Sequence, residues 1–306
     1  MTATHAHQPR QWGRTRSAGL RALRSPGLAR FLLPCVILAV WLVSIEIIGS
    51  IWPFAVGVLP EPLEVGRFMW NEIRLDTVAP HNLYETFLIS LRRLTVGVII
   101  AMLLGTAIGL GMGLSKAVNA FFNDWVVAIL AMPALAWALF VSLAFGFGNT
   151  GPILVVVLSG IPFVIINVRE GARDTPRELF DMSRSFKVPR AKTIRHVLLP
   201  SLMPFMFAAA RYSVALGWKG LVVAEVFGGQ DGAGWTMKFW YDAHRAHGVV
   251  GYGIFFVLLA VLFEKLVFDQ IAKRVFKWRP VATGVEVVEK QFGEAEKEKV
   301  VASAAS

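Results

Sequence analysis

Among the charged side chains that fall within long apolar runs, Glu46, Arg211, Lys219 and Glu225 are the candidates for a role at membrane depth. A charge at membrane depth is costly and faces protein or water rather than hydrocarbon. Arg211 and Glu225 are 14 residues apart. On a helix that spacing puts them within about 40° of one another but about 21 Å apart along the axis. They mark two depths of one stripe and cannot pair, with Arg211 in the inner half of the span and Glu225 near its outer end. Lys219 lies about 80° from Arg211 by the same geometry. A cation there either attracts an anionic solute or is neutralised by a carboxylate such as Glu46. Arg92 and Arg93 sit nearer a helix end and are expected to snorkel to the interface.

Bond-breaking chemistry finds no such constellation. The chain has no His-Glu-x-x-His, no Ser/His or paired-Asp arrangement at convincing depth, and no Gly-x4-Gly-Lys-Ser/Thr phosphate loop. His244 and His247 are three apart, but no Cys or acidic cluster completes a metal site, and both read as surface residues. Cys35, the single cysteine, reads as a packed inert thiol. The expectation is a chain that is not an enzyme and binds no cofactor or metal.

The elements that position these residues follow from composition. The chain has 306 residues, 55% of them strongly apolar, and a mean hydropathy of +0.57. Long apolar runs fall near 31–52, 86–113, 124–147, 150–168, 200–227 and 249–270. None alternates with period two, and backbone in a bilayer must satisfy its own hydrogen bonds, so the runs predict six transmembrane helices in an all-α membrane protein. Pro133 should kink or break the third. Gly105, Gly109 and Gly113 recur every four residues in the second, a spacing that lets helices approach closely. They serve either packing within one chain or a seam along a pathway.

The net charge of +10 fits either nucleic-acid binding or a cytoplasmic membrane face. Placement decides. Of the 31 basic residues, 23 fall in the N-terminal tail, the 114–123 and 169–197 loops and the C-terminal region, all on one side if six spans alternate. Four fall on the other side. This is a positive-inside pattern with both termini cytoplasmic, not a nucleic-acid patch. Residues 1–28 and 279–306 read as disordered cytoplasmic tails around a 29–278 membrane domain, the first tail held to anionic lipid. In the outer loop at 229–248, Trp235, Phe239, Trp240 and Tyr241 form either an interfacial belt or a gate and partner contact.

The cytoplasmic loop at 169–199 is long for a helical bundle. Thr175-Pro176-Arg177-Glu178 reads as a capping box, starting a short helix that runs to about Phe186. Leu179, Met182 and Phe186 form one apolar stripe on it. Pro189 breaks the chain direction, a second short helix is expected over 190–198, and Pro200 begins the next span. The pair of helices either lies on headgroups or docks a cytoplasmic partner.

This loop resembles the EAA loop of ABC importer permeases. That family's pattern is Glu-Ala-Ala, three residues, Gly, nine residues, Ile, one residue, Leu-Pro. Here Asp181 stands for the Glu, Ser183 for the second Ala, Val197 for the Ile, and Leu199 and Pro200 match. Met182 replaces the first Ala, and Lys187 replaces the Gly that ends the first short helix at positive φ. Glu178, Leu179 and Phe186 flank the motif. Further likeness is carried by Ala131-Met132-Pro133-Ala134-Leu135-Ala136-Trp137, Phe145-Gly146-Phe147-Gly148, Gly217-Trp218-Lys219 and Val223-Ala224-Glu225-Val226-Phe227-Gly228. These resemble signatures of the nitrate/sulfonate/taurine branch, over roughly residues 31–278.

The resemblance implies a type I, methionine-transporter-like permease in a bacterial inner membrane. It implies two permease copies, usually identical, cytoplasmic ABC ATPase subunits on the EAA loops that use ATP and Mg, and an extracytoplasmic solute-binding protein. Glu178, Leu179, Asp181, Met182, Ser183, Phe186, Lys187, Leu199 and Pro200 become the ATPase-coupling residues. Pro133, Trp137, Arg211, Trp218, Lys219 and Glu225 become candidates for the translocation pathway, and a small anionic solute is the expected cargo. The competing reading is a secondary transporter driven by an ion gradient, which the lack of an inverted repeat disfavours.

Overall fold

The computed structural model describes residues 60–275 and a few helical positions between 36 and 51. The tails, most of the first expected span, Cys35 and Glu46 lie outside the described residues. Every described element is a helix: α1 Pro62–Ile73, α2 Leu83–Leu114, α3 Lys116–Ala131, α4 Ala134–Phe145, α5 Thr150–Asp174, α6 Arg177–Ser185, α7 Arg190–Thr193, α8 Leu199–Gly228, α9 Ala233–Asp242, α10 Ala246–Phe263 and α11 Asp269–Val275. Single π-turns, Ile194–Leu198 and Glu264–Phe268, join α7 to α8 and α10 to α11 without a break. Four of the resulting helices are long and apolar enough to cross a membrane: Leu83–Leu114, Thr150–Asp174, Ala191–Gly228 and Ala246–Arg274. The helices α3 and α4 make a fifth if counted together, bent by 98° at Met132–Pro133. Pro133 thus breaks its span outright, as a residue without a backbone donor can.

Two compact units divide the chain: residues up to Ile89 with Asp231–Tyr252, and Ser90–Gln230 with the chain from Gly253 onward. In the second unit α5 is the central helix. Its window is 61% buried, against 28% or less for the other single-helix spans. A stripe of glycines makes room for it. A Cβ at Gly97, Gly105, Gly109 or Gly113 would come within 2.6, 2.7, 2.8 and 2.6 Å of residues on α5. The opposing side chains are Val156, Val164, Val168 and Ala172, a constant offset of 59 in sequence. The offset means that α2 and α5 run parallel in fixed register. It also decides the question left open by the glycine spacing: these glycines pack within the chain. Because α2 and α5 are parallel, the bent α3–α4 pair must carry the chain back along the bundle between them. The α8 helix runs antiparallel to α5, with Gly160 against Ser213, Gly217 against Val156 and Gly171 against Phe205. Buried clusters such as Leu94, Val156 and Leu221, and Ala172, Leu198 and Leu202, fill these interfaces.

The first unit is knit by aromatics. Phe68 meets Trp240 edge-to-face at 5.1 Å, and Phe87 stacks on Tyr252 at 6.1 Å. Trp240, expected at an interfacial belt or gate, is instead 3% exposed, held against Phe68 with Gly248 beneath its ring. His247 packs on the same ring system and is half-buried, whereas His244 is exposed.

Candidate functional site

The expected coupling loop is largely exposed. A single 9-residue helix, Arg177–Ser185, starts it. The expected capping box does not form. The Thr175 hydroxyl donates to the Gly171 carbonyl at 3.1 Å, back into the preceding helix, and Pro176 takes the N-cap position with no side chain to offer. Proline at that point fixes the turn by its ring rather than by a hydroxyl cap.

The helix ends at Lys187, where φ is +52°. The Val188 amide donates to Ser183 O and the Lys187 amide to Arg184 O, each at 2.9 Å, which is a Schellman closure. Lys187 therefore adopts the conformation that glycine takes most easily. Met182 and Phe186 stand 51% and 76% exposed, while Leu179 is half-buried. Ser183 faces inward and donates to Leu179 O at 2.9 Å. Glu178 is exposed, and Asp181 pairs loosely with Arg184 at 3.6 Å.

The second short helix is not a separate element. Residues from Ala191 run through the π-turn directly into α8, forming one 38-residue helix to Gly228. Leu199 and Pro200 lie exposed just past that turn rather than at a break. A proline one or two residues into a helix loses no intrahelical bond, but here the wider π spacing also absorbs it.

Farther along the same helix sit the pathway candidates. Arg211 Nη2 is ion-paired to Glu264 Oε1 on the π-turn after α10. Trp218 packs edge-to-face on Phe256 at 5.4 Å. Lys219 is exposed, and among the described residues no carboxylate lies within ion-pair distance of it. Arg211 and Lys219 open onto one cleft of about 350 Å³ between α2, α8 and the end of α10. Pro133 is exposed at the α3–α4 bend, and Trp137 is half-buried beyond it. The Trp137 indole nitrogen is buried without a hydrogen-bond partner among the described residues.

Glu225 does not line that cleft. It is fully buried and paired with Arg93, Nη1 to Oε1, at 2.9 Å. Ser90 donates to both carboxylate oxygens at 2.9 and 2.8 Å, and Arg93 Nε donates to Asn149 Oδ1 at 2.9 Å. The cluster ties α2, the start of α5 and the end of α8. It corrects the expectation that Arg93 snorkels. Arg93 is 2% exposed while its neighbour Arg92 is exposed, because a buried cation is tolerated where a carboxylate and an amide complete its donors. Sequence reasoning missed Arg93, Asn149 and Glu264 as partners. The available signal was charge balance: a carboxylate at membrane depth demands a partner.

In the first unit a second cleft of about 300 Å³ lies among Glu64, Arg67, Glu72, Trp240, Arg245 and His247. Glu72 is 1% exposed. It accepts hydrogen bonds from Thr77 Oγ1 at 2.5 Å and Tyr252 Oη at 3.2 Å. Burial raises the carboxyl pKa above its usual value, and the two hydroxyls only partly offset that. No group of three or more residues suited to a metal occurs among the described residues.

The model of the binding-protein-dependent transport system inner membrane component family matches residues 94–277. SsuC of Bacillus subtilis, named for aliphatic sulfonates transport, is 28% identical over 262 residues, spanning 84% of this chain and 91% of its own length. The nitrate import permease NrtB of Synechococcus elongatus is 29% identical, spanning 74% and 81%. The taurine transport permease TauC of Escherichia coli is 24% identical, spanning 79% and 86%. Among solved structures, an inward-facing form of the MetNI methionine ABC transporter aligns with a TM-score of 0.55 at 18% identity. That alignment covers 63% of this chain and 95% of that one, and it shows a shared fold.

Proposed function

The chain belongs to the binding-protein-dependent transport system inner membrane components, and from that premise we propose how it moves a solute. It is the multi-pass, non-catalytic permease of an ABC importer in the inner membrane. In the proposed arrangement two copies form the pathway, six spans cross in each, and both termini face the cytoplasm. An extracytoplasmic binding protein delivers the solute. Cytoplasmic ATPases dock on the 169–199 loop and supply the ATP and Mg chemistry. Their closure pushes the loops, and the spans switch the open side of the pathway.

One observation carries the docking assignment: Met182 and Phe186 present large apolar side chains to water, 51% and 76% exposed, beside the exposed polar residues Glu178, Asp181, Arg184 and Ser185. Isolated apolar residues on a surface are ordinary, but an unpartnered amphipathic face marks an interaction site. The cargo is a small anion. SsuC, NrtB and TauC are named for solutes that carry a sulfonate or nitrate group, and Lys219 offers an exposed cation beside the cleft. The pathway residues are Pro133, Trp137, Arg211, Trp218 and Lys219, with Glu225 acting from behind as a structural anchor. Family membership disfavours the gradient-driven alternative.

Co-purification of a Walker-motif ATPase with the chain, and ATP-dependent solute uptake by the reconstituted complex, test this reading. Uptake that proceeds without the ATPase would overturn it.

A further inference from the structure

We infer that α1, Pro62–Ile73, lies in the bilayer surface as an interfacial helix, with its apolar stripe set into phospholipid at the level of the headgroups. This goes beyond the importer reading and rests on it only for the side, which that reading makes the extracytoplasmic one.

The helix has three faces. At 100° per residue, Val65, Phe68, Met69 and Glu72 share one sector of about 100°. That sector is turned into the first unit: Val65 and Glu72 are buried, and Phe68 packs on Trp240. Glu64, Arg67 and Asn71 fall within about 60° of one another, and they line the polar cleft. The third sector, about 80° wide, holds Leu63, Gly66, Trp70 and Ile73. Leu63, Trp70 and Ile73 are 61%, 54% and 42% exposed, and a Cβ at Gly66 would meet nothing within 4 Å. A helix with both outer faces in water would carry polar residues on both. Here they are kept to one, the pattern of a helix at a boundary between water and hydrocarbon.

What covers the stripe follows from what α1 is tied to. The Tyr84 hydroxyl donates to the Ile73 carbonyl at 3.3 Å, and Tyr84 stands in the first turn of α2. At 32 residues that helix is about 48 Å long. This exceeds the hydrocarbon layer of about 30 Å and comes close to the roughly 40–45 Å that includes the headgroups. The first turn of α2 therefore stands at headgroup level, and the Tyr84 bond holds the end of α1 there. Tyr84 and, one turn on, Leu88 are exposed, so apolar surface continues from Ile73 onto the span. At the same end of α1 the Arg74 guanidinium lies over the Trp70 ring, 4.5 Å from its centroid. A tryptophan with a cation on its face suits this layer: the ring meets the glycerol and upper acyl region, and the cation meets a headgroup phosphate.

The test uses the full complex of permease and ATPase in phosphatidylcholine nanodiscs, in a Cys35→Ser background. A nitroxide is placed in turn at Leu63→Cys, Gly66→Cys, Trp70→Cys and Ile73→Cys on the stripe, and at Glu64→Cys and Asn71→Cys on the polar face. Spin relaxation by dissolved oxygen, which partitions into lipid, is compared with relaxation by a water-soluble nickel chelate. Oxygen should outweigh nickel several-fold at the four stripe positions, and nickel should outweigh oxygen at the two polar ones. The Gly66 label removes no side chain and enters open space, so a packing defect at Trp70 or Leu63 does not decide the matter. Nickel dominating at Gly66 and Ile73 would overturn the proposal by placing the stripe in water. Exclusion of both reagents there would also overturn it, by showing that protein, such as a second copy or the binding protein, covers the stripe. ATP-driven uptake by the same labelled complexes with the binding protein added separates the two readings. If uptake persists while the stripe labels report water, this inference falls and the importer reading stands. If the labels report lipid while uptake needs no ATPase, the importer reading falls and the interfacial helix stands.

Discussion

Arg93 Nη1 and Glu225 Oε1 meet at 2.9 Å in a pocket closed to solvent, with the two side chains 2% and 0% exposed. The pair joins the α2 helix to the last turn of α8, and Asn149 at the start of α5 shares the guanidinium. Glu225→Leu or Arg93→Leu alone should destabilise the protein by about 3–5 kcal/mol, because each leaves a charge buried without a partner. The double substitution should cost less than the sum. Thermal unfolding of the four variants in detergent provides the cycle, and strictly additive losses would show that the two charges do not interact.

Lys187 holds a left-handed conformation that costs a non-glycine residue about 1–2 kcal/mol. Lys187→Gly should relieve most of that, offset in part by the freer unfolded chain. The expected result is slower hydrogen exchange at the Lys187 and Val188 amides, by about fivefold for a net gain near 1 kcal/mol. Faster exchange would mean the closure is held by something other than backbone geometry.

Met182→Asp and Phe186→Asp should leave the chain folded, since exposed substitutions shift stability by about 0.5 kcal/mol or less. Both should sharply reduce recovery of the ATPase in pull-downs and ATP-driven uptake. Leu179, half-buried, is a poorer probe because its replacement would also disturb packing.

Two glycines should respond oppositely to the same change. A Cβ at Gly109 would lie 2.8 Å from the Ile165 carbonyl oxygen, whereas one at Gly66 meets nothing within 4 Å. Gly109→Ala should destabilise by about 1–3 kcal/mol through overpacking. Gly66→Ala, in the exposed part of α1, should stabilise by about 0.5–1 kcal/mol through helix propensity. Melting curves in detergent read both.

Burial lifts the Glu72 carboxyl above its usual pKa, so the folded state holds its proton more tightly than the unfolded chain. That contribution is full at acid pH below the ordinary carboxylate range and is lost as pH rises through the raised value. Glu72→Gln should therefore melt close to the parent at pH 4 and above it at pH 7. A constant difference across that range would show that Glu72 does not titrate on unfolding.

The parts of this fold set by composition could be read directly. Apolar runs located the α2, α5, α8 and α10 spans, and Pro133 marked the break between α3 and α4. The small-residue period flagged the α2 seam, although only the opposing Val156, Val164, Val168 and Ala172 showed what filled it. Readings that depended on a competing partner failed. Thr175 had both an amide ahead and a carbonyl behind, and the carbonyl won. Arg92 and Arg93 are indistinguishable in local sequence, and only the three-dimensional position of Glu225 separates the exposed one from the buried one. The joint expected before Pro200 is absent because residues from Ala191 run through the π-turn directly into α8, which keeps its helical course past both Pro200 and Pro204.

That missing joint has a mechanical consequence. From Ala191 to Gly228 the chain is a single rod, about 57 Å long at α-helical rise. One end emerges from the loop that carries Met182 and Phe186, its middle bears Arg211 and Lys219, and its far end is pinned through Glu225. In the proposed coupling, a displacement at the loop would reach the cleft as a tilt or twist about the Arg93 anchor, with the π-turn and Pro204 along the way.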